Sequence, residues 1–296
     1  MSREQCITKM LAKKKQRNVW KNRFETTQSY MQWHLFNFKL CDLVDFLQEM
    51  TIDGNCSVLD IGCGLGSVDY VISKYTQANV TGLDLSTTGI AKAQQTSQLS
   101  TTGLSFILGD AESLPIKTRS LDYVIVMDLL EHLPNPLDCI REIERILKKG
   151  GLALFSVPNK EYDLTLDKLV ELTFPKIFIK RMKKVGHSKD LFFTVSELSE
   201  MLEVTRMKPV KTEHYYTFFT SLHDVWLMEF IRTILEIPHL PSHRYRNEKH
   251  AQIISRLKRY HHKMFPYIRG VLKLFDRTLQ RIGAGSAGFW ILAQKK

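Results

Sequence analysis

Several carboxylates and two imidazoles are spaced along this chain so that they could share one chemistry. Asp60 lies in Val58–Gly66, VLDIGCGLG, where apolar residues lead into Gly62, Gly64 and Gly66. Only glycine tolerates such bending together with close backbone approach, so the run reads as a buried strand ending in a tight turn. A strand end stripped of side chains leaves amides to meet a ligand, which is the pattern of a nucleotide-type cofactor loop. Asp84 ends a second apolar run, Val80–Leu85, about 20 residues past the loop, where a carboxylate can accept from both ribose hydroxyls. Asp110 ends a third run, Leu104–Ala111, and Asp128, Glu131 and His132 follow a fourth, Leu121–Met127. His187 stands further on, in GHSKDLFFT.

These acids sit at strand ends because strand and helix patterns alternate. Helices are expected over Ser67–Tyr75 and from Ser86, as N-cap, to about Gln98. Glu112–Arg119 is a loop around Pro115, Pro134 and Pro136 open a helix over Leu137–Leu147, KKGG stops it, and Leu152–Val157 makes a fifth strand. Short connections of this kind give a parallel sheet with right-handed crossovers and a ligand crevice at the strands' C-terminal ends. Tyr162–Lys184 reads as a helical lid, Thr194–Glu203 as a capped helix, Met207–Phe219 as strand six and Gly288–Ala293 as strand seven. From Phe24 to Met50, aromatic and aliphatic residues recur at helical spacing, so Tyr30, Trp33 and His34 either pack on the sheet or line a pocket.

A glycine loop, two acids and then D-x-x-E-H, each at a strand's end, resembles the class I S-adenosylmethionine-dependent methyltransferases, and within them the ubiquinone-biosynthesis type. The resemblance is specific from about Ser57 to Asn159 and weaker on to Leu202. It implies an α/β, Rossmann-like, seven-stranded, mostly parallel sheet whose last strand is antiparallel, with helices on both faces and a helical insertion before the last strand. It also implies S-adenosyl-L-methionine as cofactor. Asp60, Gly62, Cys63 and Gly64 would then serve the methionine end, Asp84 and Leu85 the ribose and ring, Asp110 and Ala111 the adenine edge with Leu114 packing on the ring, and Asp128 would complete the cofactor site.

Methyl transfer is an in-line displacement that asks for alignment and, with a hydroxyl acceptor, removal of a proton. His132 is the first candidate for that base, with Glu131 and His187 beside it in the catalytic set; the alternative is that Glu131 and His132 cap the helix after strand four. Asp128, Glu131, His132 and His187 also make a reasonable ligand set for a divalent metal such as Mg or Zn. That set resembles the metal-dependent subgroup that includes the small-RNA 2′-O-methyltransferases, in which Glu stands where this chain has Asp128.

The 296 residues suffice for one enlarged domain, with 44% hydrophobic and 25% charged residues. The expected organisation is a basic arm and helical cover over 1–50, a core over 51–219, a basic helical insertion over 220–285 and the core's final strand over 286–296. Five cysteines without metal-ligand spacing read as reduced thiols of a cytoplasmic protein. No apolar leader and no 18-residue apolar stretch is seen, which speaks against secretion and against a membrane span.

The net charge of +11 is uneven. Residues 1–25 carry eight Lys or Arg against two Glu, and residues 241–281 carry eleven against Glu248 and Asp276, so the rest is mildly acidic. Within the insertion, Ser221–Ile237 reads as an apolar helix, and Phe265, Ile268, Leu272, Phe275, Leu279 and Ile282 form an apolar stripe beside Arg269, Lys273, Arg277 and Arg281. Such a helix either lies on an anionic membrane surface or packs on the core with solvated arginines. The expected acceptor is a hydrophobic or lipid-linked small molecule, such as a quinone precursor, met at the inner membrane face. An RNA terminus is the competing acceptor, and a cofactor-binding scaffold without chemistry the competing class.

Overall fold

Period-two alternation in the apolar strands decides the layering. Val124 and Val126 point to one side of the sheet and Ile125 to the other, and Phe289, Ile291 and Ala293 alternate likewise with Trp290 and Leu292. Two apolar faces demand cover on both sides. The computed structural model describes residues 38–97, 103–185, 191–223 and 248–296.

Seven strands, β1 (Ser57–Ile61), β2 (Asn79–Asp84), β3 (Leu104–Leu108), β4 (Leu121–Met127), β5 (Leu147–Pro158), β6 (Met207–Tyr215) and β7 (Gly288–Lys295), form one sheet in the order 3-2-1-4-5-7-6. β1 pairs in parallel with β2 and β4, β2 with β3 and β4 with β5, whereas β7 runs antiparallel between β5 and β6. The connections diverge on either side of β1 and β4, which opens a crevice over their C-terminal ends.

One face is covered by α1 (Phe38–Glu49) and α2 (Ser67–Thr76), whose Leu43, Phe46, Leu47, Val71 and Ile72 pack with Trp290 and Leu154. The other is covered by α4 (Pro136–Ile146) and α7 (Val195–Val204), which bury Cys139, Ile140, Ile143, Ile146, Leu198 and Leu202 against β4, β5 and β7. α3 (Thr87–Ser97) lies by β3, with Ile90 and Ala93 packed on Phe106. Each fully buried large side chain contributes about 1.5–3 kcal/mol. Start signals are in place: the Ser86 hydroxyl accepts from Gly89 N–H at 3.1 Å, Pro136 opens α4, and Thr194 and Glu197 form a capping box on α7.

The expected lid is two helices, α5 (Leu166–Thr173) and α6 (Pro175–Val185). β5 begins at Leu147, not Leu152, because KKGG is drawn into an irregular first pairing with β4 rather than left as a loop. The insertion helix is also longer than expected: α8 (Glu248–Arg281) runs through Pro266 as one element. The expected helix over Ser221–Ile237 falls mostly outside the described residues, as do Tyr30, Trp33 and His34.

Each of the two stripes of α8 is split between core and solvent. Arg269 reaches Asp42 at 2.6 Å and Asp45 at 2.5 Å, and Lys273 reaches Asp42 at 2.5 Å, so these cations fasten α8 to α1. Asp276 accepts from the amides of Phe218, Phe219 and Thr220, starting the short turn Phe219–Ser221. Phe265 is buried, whereas Val271, Leu274, Phe275 and Ile282 are exposed. The buried Asp42 draws Arg269 and Lys273 inward, while Arg277 and Arg281 stay exposed and Ile268, Leu272 and Leu279 are half-buried.

Candidate active site

The glycine loop after β1 turns back on itself. Gly62, Gly64 and Gly66 have φ of 83°, 56° and 76°, and a Cβ on Gly66 would stand 2.6 Å from the Phe106 ring. The sequence suggests free amides here, but the structure corrects this: Gly62 and Cys63 donate to Leu83 O at 2.7 and 3.1 Å, and Gly64 donates to Asp84 Oδ2 at 3.0 Å. The left-handed turn folds the loop onto the end of β2, so the cradle offers its bare glycine edge. Asp84 Oδ1 accepts from Ser86 N–H at 2.7 Å. Both oxygens of Asp84 thus brace the turn, with the Leu85 amide as a further donor to the carboxylate.

Beneath the loop, Asp60 and Asp69 share a buried position. Burial pushes Asp60 up to about 7, against a hydrogen bond from Asp69, with the charge of Asp84 adding to the rise. Burial and then Asp60 hold Asp69 well above the carboxylate range. Asp69, in α2, was missed from sequence because it lies a full turn beyond the motif. Cys63 is buried, and its thiol is raised far from reactivity by burial and then by Asp69, Asp60 and Asp84.

Past β3, Asp110 Oδ1 accepts from Glu112 N–H at 3.0 Å, while Ala111 and Leu114 are buried. Leu85 is half-buried at the end of β2. Glu142 and Arg145 of α4 hold the following loop: Glu142 accepts from Leu114 N–H, and Arg145 donates to the carbonyls of Leu114 and Ile116.

The ends of β4, β5 and β6 form a second cluster. Asp128 follows β4 with φ of 50°, a conformation that non-glycine residues adopt at a cost. Its Oδ1 takes the ammonium of Lys39 at 2.5 Å, and Lys39 also lies 4.6 Å from the Tyr215 ring centre and 5.8 Å from that of Trp290. Burial alone would lower Lys39, but Asp128 and Tyr215 outweigh it and hold the ammonium charged. Burial pushes Tyr215 up to about 12 against the pull of Lys39, and its hydroxyl lies 3.2 Å from Ser156 Oγ. Lys39 and Tyr215 were absent from the expected site because nothing in their local sequence marks them.

Glu131 and His132 lie in a 3₁₀ turn, Leu130–His132, with His132 Nε2 3.9 Å from Glu131 Oε1. Burial and then Asp128 hold Glu131 well above its usual value. His187 lies outside the described residues. Among the described residues no three His, Cys, Asp or Glu side chains gather as a metal site. Of the expected set, Asp128 is held by the Lys39 ammonium at 2.5 Å.

The first cluster does fit the cofactor that the resemblance implies. Asp60 Oδ2 is buried with no hydrogen-bond partner among the described residues, and Gly62 and Gly66 pack so closely on Leu129 and Phe106 that neither has room for a Cβ. Asp84 would hold hydroxyls and Ala111 and Leu114 would border a ring, while the group would supply an electrophilic methyl on sulfur.

Residues 59–155 match the family model described as a methyltransferase domain. A ubiquinone biosynthesis O-methyltransferase of Coxiella burnetii is 29% identical over 171 residues, covering 57% of this chain and 71% of that protein. A phosphoethanolamine N-methyltransferase 2 of Haemonchus contortus, solved with S-adenosyl-L-methionine, has a TM-score of 0.55 at 17% identity, covering 86% of this chain and 52% of that one. A SAM-dependent methyltransferase of Aquifex aeolicus has a TM-score of 0.51 at 15% identity, covering 66% and 92%. These two share the fold. Glycine cradle, strand order and family match together give residues 59–155 as a methyltransferase domain on the fold of the class I S-adenosylmethionine-dependent methyltransferases.

Proposed function

We propose that this methyltransferase O-methylates a hydrophobic or lipid-associated small molecule of the quinone-precursor kind. The observation that carries this reading is a cleft of about 440 Å³ against Glu131, walled by Leu130, Leu133, Pro134, Leu191, Phe193 and Met201. Its size suits a small molecule, and it lies beside the end of β4 with Lys160, Glu197 and Glu200 among its apolar walls. The Coxiella burnetii relative's name supports oxygen as the methylated atom. His132 is the group assigned to receive the hydroxyl's proton, with Glu131 beside it at 3.9 Å.

The same reading places the protein at a membrane surface. Among the described residues no helix is long and apolar enough to cross a membrane. Leu169, Leu172, Phe174, Ile177 and Ile179 on or beside α5 and α6, and Val271, Leu274, Phe275 and Ile282 on or beside α8, are exposed, with Arg277 and Arg281 also outside. Exposed apolar residues beside arginines suit insertion at an anionic headgroup layer. The test is to incubate the full chain with radiolabelled S-adenosylmethionine and a membrane lipid extract, with total RNA in a parallel reaction. Label in the organic phase supports the reading; label in RNA alone overturns it.

A further inference from the structure

One crossover of the parallel sheet is made without a helix. The chain passes from β3 at the sheet's edge, past β2 and β1, to β4 through residues 109–120, whereas α2, α3 and α4 serve the other parallel crossovers. Such a loop has no helical hydrogen bonds of its own, so its backbone groups must be met from elsewhere. Its start lies on the cofactor half: Gly109 N–H donates to the carbonyl of Asp84 at 3.0 Å, and Ala111 and Leu114 are buried in the same cluster as Leu83. Its middle is held by two residues of α4, 28 and 31 positions after Leu114. Glu142 Oε2 accepts from Leu114 N–H at 2.7 Å and Arg145 Nη2 donates to Leu114 O at 3.1 Å, so one ion pair takes both backbone groups of Leu114. The other arm of the Arg145 fork donates to Ile116 O at 2.8 Å and Thr118 Oγ1 at 3.1 Å, while Nε and Nη2 each bind Glu142 at 2.9 Å. The guanidinium in turn holds the Glu142 carboxyl below its usual value, which keeps it an acceptor.

We propose that Glu142 and Arg145 are positioning residues of the cofactor site: by holding Leu114 from both sides they fix the loop that reads the adenine edge, and with it the preference for adenine over another purine. The inference rests on the S-adenosylmethionine reading, in which Asp110 and Ala111 meet the adenine edge and Leu114 packs on the ring. Neither α4 residue touches the cofactor there; both act through Leu114. The front of the loop is tied as well, since Asp110 Oδ1 accepts from Glu112 N–H, and Glu112 Oε1 accepts from Asn135 N–H at 2.7 Å at the start of α4. The loop is therefore fastened to both ends of α4, and α4 is fixed on the sheet by Cys139, Ile140, Ile143 and Ile146. Fixed donors and acceptors discriminate where mobile ones adapt, because a mismatched polar edge is then not relieved by a shift of the loop.

The test compares two ligands that differ only at the purine edge: S-adenosylhomocysteine and S-inosylhomocysteine, in which an oxygen replaces the amino group and N1 carries a hydrogen. Calorimetry on the full chain should give the wild type a preference for S-adenosylhomocysteine of about tenfold or more, the cost of leaving a buried donor or acceptor unpaired. In Arg145→Ala the S-adenosylhomocysteine affinity should fall about tenfold and the preference should shrink toward one. Arg145→Lys keeps a charge beside Glu142 but not the fork that reaches two carbonyls, so it should lower the preference too, and it carries the test if the alanine variant does not fold. Arg141→Ala, an exposed change on the same helix, should alter neither affinity nor preference. A wild type that binds both ligands equally, a folded Arg145→Lys with the full preference, or an equal loss in Arg141→Ala would overturn the proposal. A role in stability alone would lower the melting temperature and leave the preference intact, which also overturns it. Failure of the wild type to bind either ligand would instead refute the cofactor reading.

Discussion

The two halves of the crevice solve opposite electrostatic problems. Over β1–β3, Asp60, Asp69 and Asp84 gather beneath a glycine loop, and burial raises all three. Over β4–β6, a buried ammonium meets one half-open carboxylate, with Tyr215 and Trp290 around it. The first half suits a ligand with hydroxyls, and the second holds its own charge pair, buried on the ammonium side and open on the carboxylate side.

The largest effects should come from filling the space each half leaves open. Gly66→Ala puts a Cβ 2.6 Å from Phe106 at a φ of 76°, and Gly288→Ala puts one 2.2 Å from the Tyr215 ring. Each should cost about 3 kcal/mol in urea unfolding. Calorimetry separates them: Gly66→Ala should lose S-adenosylhomocysteine binding, while folded Gly288→Ala keeps it. Asp84→Ala comes next, removing a carboxylate bonded to Gly64 and Ser86 amides. Its S-adenosylhomocysteine affinity should fall about 30-fold, the worth of a charged hydrogen bond.

The sign of the pH effect sharpens the contrast further. The folded value of Asp69 is raised, so its contribution is full below the unfolded carboxylate value and is lost as pH rises toward the folded one. Asp69→Asn mimics the protonated acid. Its stability relative to wild type should therefore grow from pH 5 to 8, by up to about 1.4 kcal/mol per pH unit, in thermal melts of the ligand-free protein. A flat difference would mean Asp69 is ionised in the fold. The smallest effect belongs to the fastening of α8: Asp45→Ala should cost about 1 kcal/mol, since Asp45 is half-exposed and Arg269 keeps Asp42, and should leave S-adenosylhomocysteine affinity unchanged.

The sheet and the cofactor half were legible because their signals are local. Glycine spacing, acids at strand ends, the Ser86 and Thr194 caps and Pro136 each act within a few residues, and the structure forms each element where the pattern lies. The acceptor half was not legible in the same way. Lys39, Asp128, Ser156, Tyr215 and Trp290 meet only after β7 has threaded between β5 and β6, and no spacing announces that meeting. The metal expectation arose for the same reason, since D-x-x-E-H is visible in sequence while the lysine that takes its first member lies in another helix. The charge stripe of α8 was visible too, but the inward turn of Arg269 and Lys273 depends on Asp42 and Asp45 of α1.

Calorimetric titration of the full chain with S-adenosylhomocysteine tests the central claim most directly, with Asp84→Ala and Lys39→Met measured alongside. One site of about micromolar affinity, weakened in Asp84→Ala and unchanged in Lys39→Met, is the result the two-half crevice predicts. No binding, or binding indifferent to Asp84 and lost with Lys39, would contradict it.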